Sequence, residues 1–200
     1  MNTTSQRYTK TAIILHWLIG LLIIGMLALG LWMGDLPKDT PKVASFDLFN
    51  LGLYSVTVPE PISVRTFYFN LHKSLGMTLL ALILFRVFWR VSHAAPAFPA
   101  TMLAWEKKLS HAVHHLLYLL MVVVPVSGFV MSLYSKYGVM WFGVQLSNGL
   151  DNPQLRDFFK EVHETAAWLL LVVIVLHVLA AIKHKLIDKD EVMQRMSLRG

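Results

Sequence analysis

Apolar residues fall along this chain in long blocks, without the short alternation of a half-buried strand. Four blocks are long enough to cross a bilayer, which takes about 20 mostly apolar residues. They cover residues of about 12–33, 69–91, 112–134 and 165–182, and each has polar residues at both ends. In the first, from Ala12 to Met33, His16 is the only strongly polar side chain. A backbone in lipid must satisfy its own hydrogen bonds, so each block is expected to be a helix. The pattern predicts an all-α, integral membrane four-helix bundle, with residues 1–200 forming a single membrane domain. Pro125 falls inside the third block and is expected to bend it, since proline lacks the N–H and crowds the preceding turn. The first block exceeds the roughly 7–15 apolar residues of a cleaved signal, so it is read as a retained span.

The links differ in character. Residues 34–67 form a long outer link with Pro37, Pro41, Pro59 and Pro61. Its apolar residues, among them Phe46, Leu48, Phe49 and Leu51, are expected on the membrane surface or as a cap on the bundle. The link with Pro96 and Pro99 reads as an irregular inner loop, and the tail from His184 as a short amphipathic helix on the inner surface.

Charge orients the bundle. Arg7, Lys10, Arg86, Arg90, Lys107, Lys108, Lys183, Lys185, Lys189, Arg195 and Arg199 lie on one side. Lys38, Lys42, Arg65, Lys136, Arg156 and Lys160 lie on the other, diluted by acids. Positive residues favour the cytoplasm, so both termini are expected there. Composition agrees with a membrane class. The chain is 56% hydrophobic and only 15% charged, against about 25% charged in soluble domains. A net charge of +6 would hint at nucleic acid in a soluble protein. Here the basic residues flank apolar runs, so lipid is the expected partner and nucleic acid is not. The absence of Cys excludes disulfides, thiolate-held iron–sulfur clusters and covalent haem through C-x-x-C-H.

Chemistry rests on the histidines, of which there are nine. Ionisable residues inside spans are rare and by default functional. His72 begins the second block and His163 the fourth, both at the outer depth. His16 and His177 lie near the inner ends of the first and fourth. His163 and His177 are separated by 14 residues, about 21 Å of helical rise, with azimuths only about 40° apart. One helix face therefore carries an imidazole near each side of the membrane. At the outer depth His72 and His163 have no competitors. At the inner depth His177 could face His16, His111, His114 or His115. A flat macrocycle beside a helix needs small residues one turn from its ligand. His16 has Gly20 there and His72 has Gly76, whereas the third block offers His114, His115, Leu117, Tyr118 and Leu119. His16 is the better partner on that ground. His93 and His184, just outside the spans, read as solvated.

Two imidazoles from facing helices with no carboxylate beside them suit neither zinc nor non-haem iron. Glu164 is the only nearby acid, and it points from another face than His163. Two axial histidines and an apolar slot suffice for haem b. Histidines that only bridge helices by hydrogen bonds are the plain alternative, less apt for two depth-matched pairs. Propionates would seek basic groups near water. The outer candidates are Lys73, Arg65, Arg156 and Lys160; the inner ones are Arg7, Arg86, Arg90 and the His111/His114/His115 cluster.

An ordered set of motifs carries a resemblance. It comprises Leu15-His16-Trp17, Leu71-His72-Lys73-Ser74-Leu75-Gly76 with Arg86, and His111-x-x-His114 with Tyr118. Val124-Pro125-Val126-Ser127-Gly128, Trp141-Phe142-Gly143 and Val162-His163-Glu164-Thr165 with His177 complete it. Together they resemble the bacterial di-haem cytochrome b561 family across all four spans, leaving out 34–67. The resemblance implies a multi-pass protein of the bacterial inner membrane with two b haems. His16 and His177 would ligate the inner iron, and His72 and His163 the outer. On the small-residue argument Gly20 and Gly76, and as a propionate candidate Arg86, would border the cofactors. The resemblance also implies oxidoreductase activity, passing single electrons between a periplasmic donor, superoxide in some members, and ubiquinone.

For a small anion, Lys160 and Arg156, one and two turns before His163, are the candidate catalytic residues. Asp157, Glu161 and Glu164 weaken their field. Trp17, His114, Tyr118 and Arg86 are candidate quinone contacts. Trp89, Trp105, Trp141 and Trp168 read as interface anchors. The alternative function is a haem b anchor subunit docked to a larger dehydrogenase or hydrogenase. A cofactor-free channel would need a polar lumen that the central thirds of the spans do not offer.

Overall fold

The structure, a computed structural model, describes residues 7–99 and 102–198; Arg199, counted in the charge pattern, lies outside them. Four helices long and apolar enough to cross a membrane dominate it: α1 (Lys10–Gly34), α2 (Val64–Ser92), α3 (Ala104–Leu133) and α4 (Pro153–Lys183). Each covers one of the expected blocks and starts before it, although α3 stops at Leu133, one residue short of the expected end at 134. The extra length comes from polar flanks that hydropathy excludes but helix caps accept. Ser63 caps α2, its hydroxyl accepting from the Thr66 N–H at 3.1 Å. Asn152 does the same for α4, ahead of Pro153 in the first turn.

α1 begins and α4 finishes at one end of the bundle, here the proximal end; the opposite end is distal. Leu15, Ile19, Ile23, Leu79, Ile83, Leu120, Met121, Ala166, Leu170 and Val173 form the buried core. Outward-facing Leu21, Leu84, Leu119 and Leu179 are more than half exposed. Their helices have an inside that packs and an outside that suits lipid rather than water.

The fold is mostly helical but not wholly so. The link between α1 and α2 holds an antiparallel hairpin, β1 (Lys42–Asp47) with β2 (Ser55–Ser63). Phe46 and Phe49 turn onto Trp32, Phe67 and Tyr68. Tyr68 is fully buried and its hydroxyl accepts from the Phe49 N–H at 2.7 Å. Phe46 and Phe49 thus cap the end of the bundle, whereas Leu51 stays on the surface. Arg65 donates through Nη1 to the carbonyls of Leu36 and Met33, closing the end of α1.

A second hairpin, β3 (Val139–Trp141) with β4 (Val144–Ser147), turns on Phe142 and Gly143, both at positive φ. It is clamped to α2. The Phe142 N–H donates to the Ser74 hydroxyl at 2.9 Å, and Trp141 Nε1 to the Thr78 hydroxyl at 3.2 Å.

The tail also departs from expectation. After α4 comes a π-helical turn over His184–Asp188, then a reversal at Lys189 and a short 3-10 turn over Gln194–Met196. The chain folds back on the bundle instead of lying out as an amphipathic helix. Trp17 Nε1 donates to the Met196 carbonyl at 2.9 Å and Arg7 to the Ser197 carbonyl at 2.6 Å. His184, expected in solvent, is only 8% exposed. His93 stacks on Trp89, its ring centre 4.0 Å away.

Candidate cofactor site

Two pairs of imidazoles face each other across helices. His72 of α2 and His163 of α4 have ring centroids 6.2 Å apart with planes at 82°. His16 of α1 and His177 of α4 also stand 6.2 Å apart, at 75°. Two imidazoles on opposite sides of one metal ion, with metal–nitrogen bonds of about 2 Å, have ring centres roughly 6 Å apart. Leu170, midway along α4 between the two pairs and 2% exposed, belongs to the core layer that separates them.

At the distal pair the imidazoles are held from behind. His163 Nδ1 donates to the Val124 carbonyl of α3 at 2.8 Å. That bond selects the tautomer in which Nε2 is free as a ligand. Gly128 makes the approach feasible, because a Cβ there would stand 3.0 Å from His163 Cε1 and Nδ1. Gly30 does the same for His72, whose Cε1 would lie 3.3 Å from an added Cβ. His72 Nδ1 is buried and has no hydrogen-bond partner, so packing rather than a hydrogen bond holds this ring. Sequence reasoning missed Gly30, and it quoted Gly128 only within a motif. The available signal was a glycine inside an apolar helix, where it costs stability without a packing reason.

At the proximal pair the surroundings are polar. Arg86 Nη2 lies 3.0 Å from His16 Nδ1, and its guanidinium lies 5.8 Å from the Tyr118 ring centre. His114 is also drawn in. α3 starts at Ala104, so His114 sits three turns along it, with its ring 5.5 Å from His177 and Nδ1 beside the Ser110 hydroxyl at 3.2 Å. Trp17 packs edge-on against His16 at 5.4 Å. An added Cβ on Gly20 meets nothing within 4 Å, leaving open space one turn from His16; on Gly76 it meets Met26 at 3.6 Å. His111 and His115 lie near each other on the exposed side of α3 and join neither pair.

At the distal mouth, Arg156 pairs with Asp157 at 2.9 Å and Lys160 with Glu164 at 3.0 Å. Neither cation reaches the imidazoles by a direct contact of its own; each is balanced by an acid beside it. Among the described residues, neither imidazole pair gathers a third His, Asp or Glu ligand atom. The donor set of each pair is thus two nitrogens, which fits a cofactor that brings its own equatorial ligands.

Comparison with known proteins agrees. The family described as prokaryotic cytochrome b561 matches residues 7–198. Cytochrome b561 homolog 2 of Escherichia coli (strain K12) is 32% identical over 198 residues, covering 96% of this chain and 92% of that protein. The chain belongs to the prokaryotic cytochrome b561 family. Cytochrome b561 homolog 1 of the same organism is 24% identical over 97% of this chain and 98% of its own length. A protein of Yersinia pestis named probable superoxide oxidase CybB is 28% identical over 96% of each chain. As a cytochrome b561 with four membrane-crossing helices, this is a multi-pass haem protein of the bacterial inner membrane, an electron-transport oxidoreductase by family.

Proposed function

We propose that this cytochrome b561 holds two b haems and carries single electrons across the inner membrane, from a periplasmic donor of the superoxide type to ubiquinone. The observation that carries the reading is the pair of equal 6.2 Å imidazole separations, one on each side of a buried apolar layer. His72 and His163 are the ligands at the distal, periplasmic end; His16 and His177 those at the proximal, cytoplasmic end. His114 is the weaker proximal candidate, because 5.5 Å from His177 is short for two rings flanking one ion.

Haem b, when bound, supplies reversible one-electron redox chemistry. The protein's own residues do the rest. Val124 and Gly128 orient His163, and Gly30 seats His72. The Leu, Ile and Val layer between the tiers keeps water and ions out. Arg86 places a cation beside the proximal ligand. Gly20 leaves room on the helix surface one turn from His16, and Gly76, one turn from His72, lets Met26 pack against α2. Two superoxide anions each give up one electron to become dioxygen; one quinone takes both electrons with two protons. Trp17, Tyr118, His114 and Arg86 surround the proximal pair and form the quinone's polar surroundings. Support for superoxide comes from the name of the Yersinia pestis relative. Lys160 and Arg156 steer the anion at the distal mouth; with Glu164 and Asp157 beside them, the attraction is modest.

Haem quantification and reduced-minus-oxidised spectra of the wild type and the four single His→Ala variants test the pairing. Two haems per chain are expected, with the same haem lost from either member of a pair. One haem per chain, or intact spectra after losing His72, overturns it. Stopped-flow reduction by superoxide at low and high salt tests the steering. A rate that salt leaves unchanged removes Lys160 and Arg156 from the reading while leaving the haem pairing intact.

A further inference from the structure

We propose that His184, Asp188 and Asp190 form a binding site for one divalent transition cation of the zinc class, at the proximal end and apart from the haem ligands. The local chain builds it. α4 ends at Lys183, the π-helical turn widens the last turn, and Lys189 at φ 51 reverses the backbone. The Asp190 N–H then donates to the His184 carbonyl at 3.2 Å, bringing Asp190 back over the imidazole.

One nitrogen faces two carboxylates. His184 Nδ1 lies 2.7 Å from Asp190 Oδ2 and 3.2 Å from Asp188 Oδ2. A single N–H has two acceptors, and all three ligand atoms lie within 4.8 Å of one another. A zinc-type ion with bonds of about 2.0–2.2 Å spaces its ligands by roughly 3–3.5 Å, so the donors need move little. The floor is dry and the mouth open. The side chains of His184 and Asp190 are 11% and 9% exposed, and that of Asp188 is 28% exposed, leaving room for water to complete the shell.

Charge and ligand type point the same way. Two carboxylates neutralise a dication, and the ion takes the place of the Nδ1 proton, which leaves to solvent. Lys183 contacts Asp188 at 2.6 Å but also Glu106 at 2.9 Å, so an ion that claims Asp188 leaves the ammonium paired. An imidazole with two carboxylates favours borderline cations over magnesium or calcium, which take shells of oxygen. The site would also fasten the tail. Asp190 Oδ1 accepts from the Val192 N–H at 3.0 Å, and the chain continues to Met196, which holds Trp17 next to His16.

The test uses the purified haem-loaded protein, treated with a mild chelator and titrated with zinc chloride against a chromogenic zinc indicator. One zinc per chain is expected to survive desalting in the wild type. His184→Asn and Asp190→Asn should each weaken binding about tenfold or more, with the haem spectrum unchanged. Trypsin supplies a second readout: zinc should slow cleavage at Lys189 and Arg195 in the wild type and not in the variants. A wild type that retains no zinc overturns the proposal, as does retention that the His184 and Asp190 variants leave unaltered. Zinc lost with His111→Asn or His115→Asn instead places the binding elsewhere and overturns it too.

Discussion

His163 donates a hydrogen bond to the Val124 carbonyl across the α3–α4 interface, at 2.8 Å, over a glycine that leaves the ring room. The carbonyl lies one residue before Pro125 and also accepts from a hydroxyl of its own helix. Ser127 donates its hydroxyl to the carbonyls of Val123 and Val124. Helix α3 nonetheless continues to Leu133. The proline region thus serves as a mount for a side chain on the neighbouring helix.

Gly128→Ala should therefore displace the His163 imidazole. The added methyl would meet two ring atoms at 3.0 Å, and overpacking of this kind costs about 1–3 kcal/mol. Loss or weakening of the distal haem with the proximal haem retained is expected in low-temperature difference spectra. Gly128→Ala with both haems at wild-type occupancy and potential contradicts the mount.

Arg86→Gln removes the cation beside His16 while keeping a hydrogen-bond donor. A nearby positive charge favours the reduced form of a redox centre. The proximal midpoint potential should fall by roughly tens of millivolts, given that 59 mV is a factor of about ten for one electron. Potentiometric titration should show the distal midpoint unmoved. Equal shifts at both centres would point to a general structural effect instead.

The clamp between the second hairpin and α2 should show unequal contributions. Ser74 is 2% exposed, and its hydroxyl accepts from the Phe142 N–H while donating to the Asn70 carbonyl. Ser74→Ala leaves that N–H unpaired, at a cost of about 1–3 kcal/mol. Thr78→Val breaks the Trp141 bond nearer the surface and should cost less. Thermal denaturation of both variants in one detergent checks the order.

The first hairpin gives a parallel case. Tyr68→Phe keeps the ring contacts with Trp32 and Phe49 and removes the acceptor for the Phe49 N–H. A loss of about 1 kcal/mol is expected, smaller than for Tyr68→Ala, which also empties a fully buried ring site. Chemical denaturation followed by tryptophan fluorescence distinguishes the two.

The sequence by itself determined the four crossings and the two depths of histidine. Both are one-dimensional properties: an apolar run must match a bilayer's thickness, and fourteen residues of helix place His163 and His177 on one face near opposite sides. Which side chains stand behind those imidazoles was decided only by helix packing. Gly30 and Gly128 lie on other helices from the rings they accommodate, so no local period connects them. His114 reaches His177, and Arg86 reaches His16, through interfaces that hydropathy does not register. The hairpins escaped notice because β3 and β4 have only three and four residues and β2 carries Pro59 and Pro61, and His184 because its burial depends on a chain reversal several residues later. Length and hydropathy act along the chain, whereas cradles, clamps and the folded-back tail depend on where distant segments meet.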